Sequence, residues 1–227
     1  MQQKRKSELY YEDIGEDFDQ WMSDYDVTQR LKLINRLLPS DHQTRNCIEI
    51  GCGTGRISEF LSKKVKALTV TDISEKLASS VAERVGAEWS AEDACNVQLD
   101  DESFDLVVSS ECIEHTPDPS KALEEMYRIA KPGSYIVVTS PNKVWYPALW
   151  LATKLQVRKY EGNEIWLYPS EAADVFMSLG GDLTRKSGCH LFPWQLPLAK
   201  RILPKIDRWA DSIYPIMINY GIVCKKS

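Results

Sequence analysis

The chain has 227 residues, 43% of them hydrophobic, with 28 Lys+Arg against 33 Asp+Glu. That is length for one large domain or two small ones with a packed core, and the net charge of −5 gives no overall basic footprint for nucleic acid. Charge divides unevenly, 16 cationic against 26 acidic residues over 1–140 and 12 against 7 over 141–227, so the last third meets a different partner or merely different solvent.

In chain order, residues 1–8 carry positive charge with no apolar run behind them, so a secretory leader is not expected. An aromatic, acidic segment over 10–25 follows. Residues 27–38 read as a helix, with Leu31, Ile34, Leu37 and Leu38 on one face and Pro39 ending it. From 45 to 140, short apolar runs at 47–50, 67–71, 87–90, 104–108 and 135–139 alternate with helical patterns at 57–64, 74–85 and 119–130. Leu123, Met126, Tyr127 and Ala130 form one such helical stripe. Strand–helix–strand units in series require right-handed crossovers, which predicts an α/β sandwich: a parallel sheet with helices on both faces.

After residue 140 the rhythm breaks. The span 142–169 holds Trp145, Tyr146, Trp150 and Trp166, and its apolar stretch at 144–152 is broken by Pro147, far short of the ~20 residues that cross a bilayer. Residues 170–179 read as a helix. Strand candidates at 183–186 and 216–224 flank a Pro-punctuated helical segment at 195–210. The six cysteines (47, 52, 95, 112, 189 and 224) include no C-x-x-C pair, so neither a zinc site nor a disulfide framework is expected. A reducing, cytoplasmic compartment is the default.

The sharpest motif is Glu49-Ile50-Gly51-Cys52-Gly53-Thr54-Gly55-Arg56, placed directly after a strand and opening a helix. Glycines there allow a tight turn and close approach of the backbone to a ligand, with helix N–H groups aimed at it. A dinucleotide fingerprint wants its third glycine at 56, where this chain has Arg, and this disfavours a nicotinamide-dependent oxidoreductase. Asp72 ends the next strand, 21 residues after Gly51, where a carboxylate can accept from both ribose hydroxyls. Glu92-Asp93-Ala94 follows the third strand, where a carboxylate can receive an exocyclic amine proton. All three clusters fall at carboxyl ends of strands, where open α/β sheets bind ligands.

Residues 45–140 resemble the class I S-adenosylmethionine-dependent methyltransferases. The resemblance rests on Glu-x-Gly-x-Gly-x-Gly at 49–55, the acidic strand end at Asp72, Asp93-Ala94, Phe104-Asp105-Leu106-Val107-Val108 and Lys131-Pro132-Gly133 before the fifth strand. The run Glu114-His115-x-Pro-Asp118 looks like the branch of quinone and small-molecule methyltransferases. The resemblance implies a Rossmann-like seven-stranded, mostly parallel sheet closed by a C-terminal antiparallel hairpin, in one domain. Its parts would be a cofactor-covering segment over 1–40, with Tyr11 and 18–21 on the part that folds over the cofactor, a cofactor-binding core over 45–140, and an acceptor-recognition part over 141–227. It implies S-adenosylmethionine as cofactor. Gly51 and Gly53 would pass by its methionine part with Glu49 behind, Asp72 would meet the ribose, Asp93 and Ala94 the adenine, Gly55 and Ile73 would be further cofactor contacts, and Ser110 and Glu111 would lie beside the sulfonium.

Methyl transfer from a sulfonium is an in-line displacement, so alignment is the main work, and a hydroxyl acceptor also needs a base. His115 is the first base candidate, with fixing its loop as its other role; Glu111 could orient the acceptor or take its proton. Acceptor contacts are expected from Trp145, Tyr146, Trp166 and His190, whereas His42 sits in a polar loop. The aromatic insert at 144–167 carries Lys154, Arg158 and Lys159, and 195–210 carries Lys200, Arg201, Lys205 and Arg208. Aromatic faces beside cations suit a large, partly apolar or anionic acceptor: an aromatic ring, a prenylated quinone, a sugar nucleotide or a lipid-linked glycan. Otherwise the aromatics cover the sheet edge and the cations are solvated. The expected activity is methylation of a small-molecule, lipid- or sugar-like acceptor at a hydroxyl oxygen. Carbon or nitrogen methylation and a non-catalytic nucleoside-binding scaffold are the alternatives. No metal and no nucleic-acid partner are expected, and membrane contact would be peripheral at most.

Overall fold

A computed structural model describes residues 23–154 and 164–227. Tyr11 and residues 18–21, expected over the cofactor, and Arg158 and Lys159 of the insert lie outside the described residues.

Seven strands form one sheet: β1 (Asn46–Ile50), β2 (Ala67–Asp72), β3 (Glu88–Ala91), β4 (Phe104–Ser110), β5 (Ala130–Pro141), β6 (Asp182–Cys189) and β7 (Asn219–Lys225). Their order is β3-β2-β1-β4-β5-β7-β6. The first five are parallel, and β7 runs antiparallel between β5 and β6. The helices are α1 (Asp24–Leu37), α2 (Arg56–Leu61), α3 (Glu75–Val85), α4 (Pro119–Ile129), α5 (Tyr146–Lys154), α6 (Pro169–Ser178) and α7 (Ala199–Ile206), with a further short turn at Ala210–Ile213.

Strand alternation sorts the core into two faces. Ile48, Ile50, Val107, Ile136 and Val138 point to one side, where Leu123 and Met126 of α4 and Phe176 of α6 cover them. Cys47, Leu106, Val108 and Val137 point to the other, against Leu33, Ile34 and Leu37 of α1, Leu61 of α2 and Val81 of α3. Burial on both faces is why the central strands read as unbroken apolar runs. Local chemistry fixes the helix ends. Ser74 caps α3, its hydroxyl accepting from Leu77 N at 3.3 Å, and Gly86 ends that helix at φ 70°. Asp118 caps α4 ahead of Pro119, accepting from Lys121 N at 3.1 Å.

Several boundaries differ from the sequence reading. Residues 131–133 lie inside β5 rather than before it, because the register shifts between Phe104 and Leu106 and Gly133, at φ 75°, absorbs the slack. β6 is longer than its apolar pattern at both ends, whereas β7 is shorter than expected, starting three residues later and ending one later, and the two pair with each other over seven positions whatever their hydropathy. Leu31 is only half-buried, and Leu33 takes its place in the core.

Topology sets the site. Strand order reverses between β1 and β4, which opens a crevice at their carboxyl ends. Because β7 is antiparallel, its first residue, Asn219, lies opposite Pro141 and Cys189 at that same edge.

Candidate functional site

A cavity of about 1380 Å³ occupies the crevice. Single-ligand pockets run to about 1,000 Å³, so two molecules can lie side by side in it.

One half is made of strand–helix turns. Gly51 follows β1 at φ 76°, and a Cβ there would meet Cys112 Sγ at 2.2 Å, so only glycine lets the β1 and β4 ends approach. Gly53, at φ 53°, has nothing within 4 Å of its Cβ position and borders the cavity: the loop is a bare-backbone cradle. Asp72 anchors it, one carboxylate oxygen accepting from Gly53 N at 2.9 Å and the other from Ser74 N at 3.0 Å. Burial raises the Asp72 pKa, and these amide hydrogen bonds restrain the rise. Glu49 is buried on the cavity wall, accepts from Ser58 Oγ at 2.5 Å, and is pushed by burial up to about 8. At the end of β3, Asp93 and Ala94 border the cavity, and Asp93 accepts from Cys95 N at 3.0 Å.

The other half is a side-chain network. Glu111, directly after β4, sits at φ 52°, where a non-glycine residue needs its surroundings to hold it. Arg30 of α1 lies between Asp26 (3.1 Å) and Glu111 (3.3 Å), and Asn219 Nδ2 donates to Glu111 Oε2 at 2.7 Å. Burial raises the Glu111 pKa against the pull of Arg30. Burial works the same way on Asp26, but there Arg30 and His190 win and hold the carboxyl low. Glu114, 1% exposed, accepts from Ser140 Oγ at 3.1 Å and is raised well above the carboxylate range by burial and by Glu111. His115 borders the cavity with its Nε2 3.9 Å from Glu114 Oε1. Trp145, Trp166 and Trp194 supply aromatic wall.

Residues 48–138 match a family model described as a methyltransferase domain. Residues 48–138 of this chain carry a methyltransferase domain. It is similar to norajmaline N-methyltransferase of Rauvolfia serpentina, 33% identical over 122 residues, which is 50% of this chain and 42% of that protein. It is also similar to a ubiquinone biosynthesis O-methyltransferase of Coxiella burnetii, 26% identical over 200 residues, 81% of this chain and 84% of that protein. The chain thus spans less than half of the alkaloid enzyme and most of the ubiquinone one. A solved S-adenosylmethionine-dependent methyltransferase from Thermotoga maritima shares the fold, with a TM-score of 0.76 at 23% identity over 97% of this chain and 100% of that one.

The methyltransferase domain has the fittings its cofactor requires. The Gly53 edge of the cradle leaves open space along the cavity, and Asp72 keeps lone pairs for a diol after accepting from two amide N–H groups. Of the residues expected at the site, Glu49, Gly51, Gly53, Asp72, Ile73, Asp93, Ala94, Ser110, Glu111, His115, Trp145 and Trp166 all border the cavity. Three do not. Gly55 starts α2, where a Cβ would strike Val81 and Arg84, so its job is helix packing. Tyr146 is 45% exposed and meets Trp166 edge-on from behind. His190 is fully buried, bonded to Asp26 Oδ1 at 3.1 Å between the Tyr25 and Trp194 rings, so it supports the wall without reaching the cavity.

The sequence reading missed Asp26, Arg30, Glu114 and Asn219. Two left a trace. Asp26 and Arg30, four apart, stand in line with Leu33 and Leu37, a charged pair on an apolar stripe; Asn219 interrupts the apolar run of its strand.

Proposed function

We propose that this chain transfers the methyl group of S-adenosylmethionine to a hydroxyl oxygen of a small-molecule, lipid- or sugar-like acceptor. The observation that carries this reading is the continuity of one cavity from the Gly51–Gly53 cradle and Asp72 to Glu111, His115 and the tryptophan wall. When bound, S-adenosylmethionine supplies a methyl group already activated on its sulfonium. Asp72 holds the ribose diol, Ile73, Asp93 and Ala94 receive the adenine, and Glu49 with the Gly51 and Gly53 backbone takes the methionine end. Ser110, whose hydroxyl pairs with Thr139 Oγ1 at 2.8 Å, closes the wall at the reacting end. The acceptor lies against Trp145 and Trp166.

His115 takes the acceptor's proton, and Glu114, its Oε1 3.9 Å from the ring Nε2, lies behind it. Glu111, positioned by Arg30 and Asn219, orients the acceptor hydroxyl. The organisation that goes with this is one domain, with 1–40 covering the cofactor and 141–227 recognising the acceptor. The cysteines Cys47, Cys52, Cys95, Cys112, Cys189 and Cys224 are free thiols, which supports a reducing compartment such as the cytoplasm.

A second reading has one observation in its favour. Glu111 and Glu114 put two buried carboxyls with raised proton affinity beside the tryptophans, which also suits an amine acceptor that must shed a proton. The test is to incubate the protein with extract and isotopically labelled S-adenosylmethionine and follow the product by mass spectrometry. A product methylated at oxygen is expected, one methylated at nitrogen selects the amine reading, and cofactor binding without any transfer reduces the chain to a nucleoside-binding scaffold.

A further inference from the structure

Among the described residues, nine of the fourteen large apolar side chains that stay exposed lie in two adjoining stretches; Trp89, Ile165, Tyr168, Met177 and Leu179 are elsewhere. Trp209 is 69% exposed, Leu198 64%, Ile216 53%, Leu196 52%, Leu151 51% and Trp150 47%. They belong to two stretches, 144–151 and 196–216, that adjoin: Trp145 Nε1 donates to Ile216 O at 2.9 Å and Asn142 Nδ2 to Pro215 O at 2.8 Å. Both stretches also form the cavity rim, through Trp145 and Leu149 on one side and Leu196 and Leu198 on the other. Scattered exposed apolar residues need no explanation, but a contiguous set ringing a pocket does.

The same rim is basic on balance. Lys200, Arg201, Lys205 and Arg208 fall within nine residues, against Asp207, which is buried at 8% exposure, and the exposed Asp211. Lys154 Nζ stands 4.0 Å from the Trp150 ring centroid. In α7, Ala199 and Leu203 pack inward while Ile202 remains 44% exposed among the cations. Apolar and aromatic side chains interleaved with Lys and Arg on one outward face have the composition of a surface that lies in the headgroup region of an anionic bilayer. Among the described residues no helix is long and apolar enough to cross a membrane, which leaves seating on the surface. A second copy pairing through the same face would oppose cation to cation.

We propose that the cavity rim formed by residues 144–151 and 196–216 seats on an anionic phospholipid bilayer, with the cavity opening toward the lipid. The rim inserts its tryptophans and aliphatic side chains among the headgroups, and the Lys and Arg side chains meet lipid phosphates. A lipid-tailed molecule can then pass from bilayer to cavity without entering water. Seating does not depend on the cofactor assignment, since neither Asp72 nor the glycine cradle takes part.

The experiment is co-sedimentation of the full chain with phosphatidylcholine vesicles, with and without phosphatidylglycerol. At least about tenfold more protein is expected on the anionic vesicles, falling several-fold when salt rises from about 50 mM to about 500 mM. Ile202→Glu/Trp209→Glu and Lys205→Glu/Arg208→Glu should each remove most of this binding and leave S-adenosylhomocysteine affinity, measured without vesicles, unchanged. Should a variant lose its cooperative melt, the lipid and salt dependence of the unaltered chain decides alone. Equal sedimentation with both vesicle types, or none with either, overturns the proposal. So does light scattering that shows a dimer which Trp209→Glu dissolves, because the face then belongs to a second copy.

Discussion

The two halves of the cavity are built on opposite plans. The cradle side uses backbone and consecutive turns: the loop after β1, the carboxylate that ends β2 nineteen residues beyond Gly53, and the loop after β3. The network side uses long side chains gathered from across the chain, Asn219 reaching Glu111 over 108 residues and His190 reaching Asp26 over 164. A backbone cradle depends on which positions lack a Cβ. A side-chain network depends on charge balance in a place with little water, where one missing member leaves the others stranded.

Arg30→Met strikes the network hardest. It leaves Asp26 and Glu111 buried without their cation, and a loss of about 3 kcal/mol in stability is expected by denaturant titration, moderated because the Arg30 side chain keeps 21% exposure. Adding Glu111→Gln should recover part of that loss; simple additivity of the two changes would show that the residues are not coupled.

Gly51→Ala strikes the cradle. The left-handed backbone and the contact at 2.2 Å with Cys112 together should cost about 2–3 kcal/mol in thermal unfolding. Gly53→Ala, with open space at its Cβ position, should cost less than half of that yet weaken S-adenosylhomocysteine binding. If both variants melt alike, the distinction between packing glycine and ligand-facing glycine fails.

Asp72→Ala should weaken S-adenosylhomocysteine binding by about 1–3 kcal/mol in calorimetric titration. Affinity that stays the same would remove the ribose from Asp72.

The smallest effect concerns pH. Burial holds Glu49 protonated up to about 8, far above an ordinary carboxyl, so between about 4.5 and 8 the folded state binds a proton that the unfolded state has released. Stability therefore falls as pH rises through that window and levels off above it. Glu49→Gln keeps an acceptor for Ser58 Oγ and cannot ionise, so it should flatten the decline and gain about 1–2 kcal/mol at pH 9. Parallel melting curves from pH 5 to 9 for the two proteins would show that Glu49 is not the group responsible.

The cradle was legible in the sequence because its parts are close together and chemically marked. Three glycines at 51, 53 and 55 and an acid at 72 can be counted, although counting did not reveal that Gly55 serves α2 rather than the ligand. The network was half legible. Glu111 and His115 follow directly from the end of β4, whereas Asp26 and Arg30 belong to a helix whose strongest sequence mark is its apolar stripe. His190 follows the penultimate strand, but Tyr25, Trp194 and Asp26 enclose it and keep it from the acceptor side.

The sequence by itself determined the layered α/β arrangement, the strand ends that hold the cradle and the positions of its glycines. Apolar period, turn chemistry and Cβ sterics act over a few residues, and such rules can be read along a line. Only the tertiary structure decided that α1 sends Arg30 to Glu111, that antiparallel β7 delivers Asn219 to the carboxyl end of a parallel sheet, and that His190 points inward. Those contacts depend on how distant segments cross, and on burial that turns a charge anywhere else unremarkable into one that must find its partner.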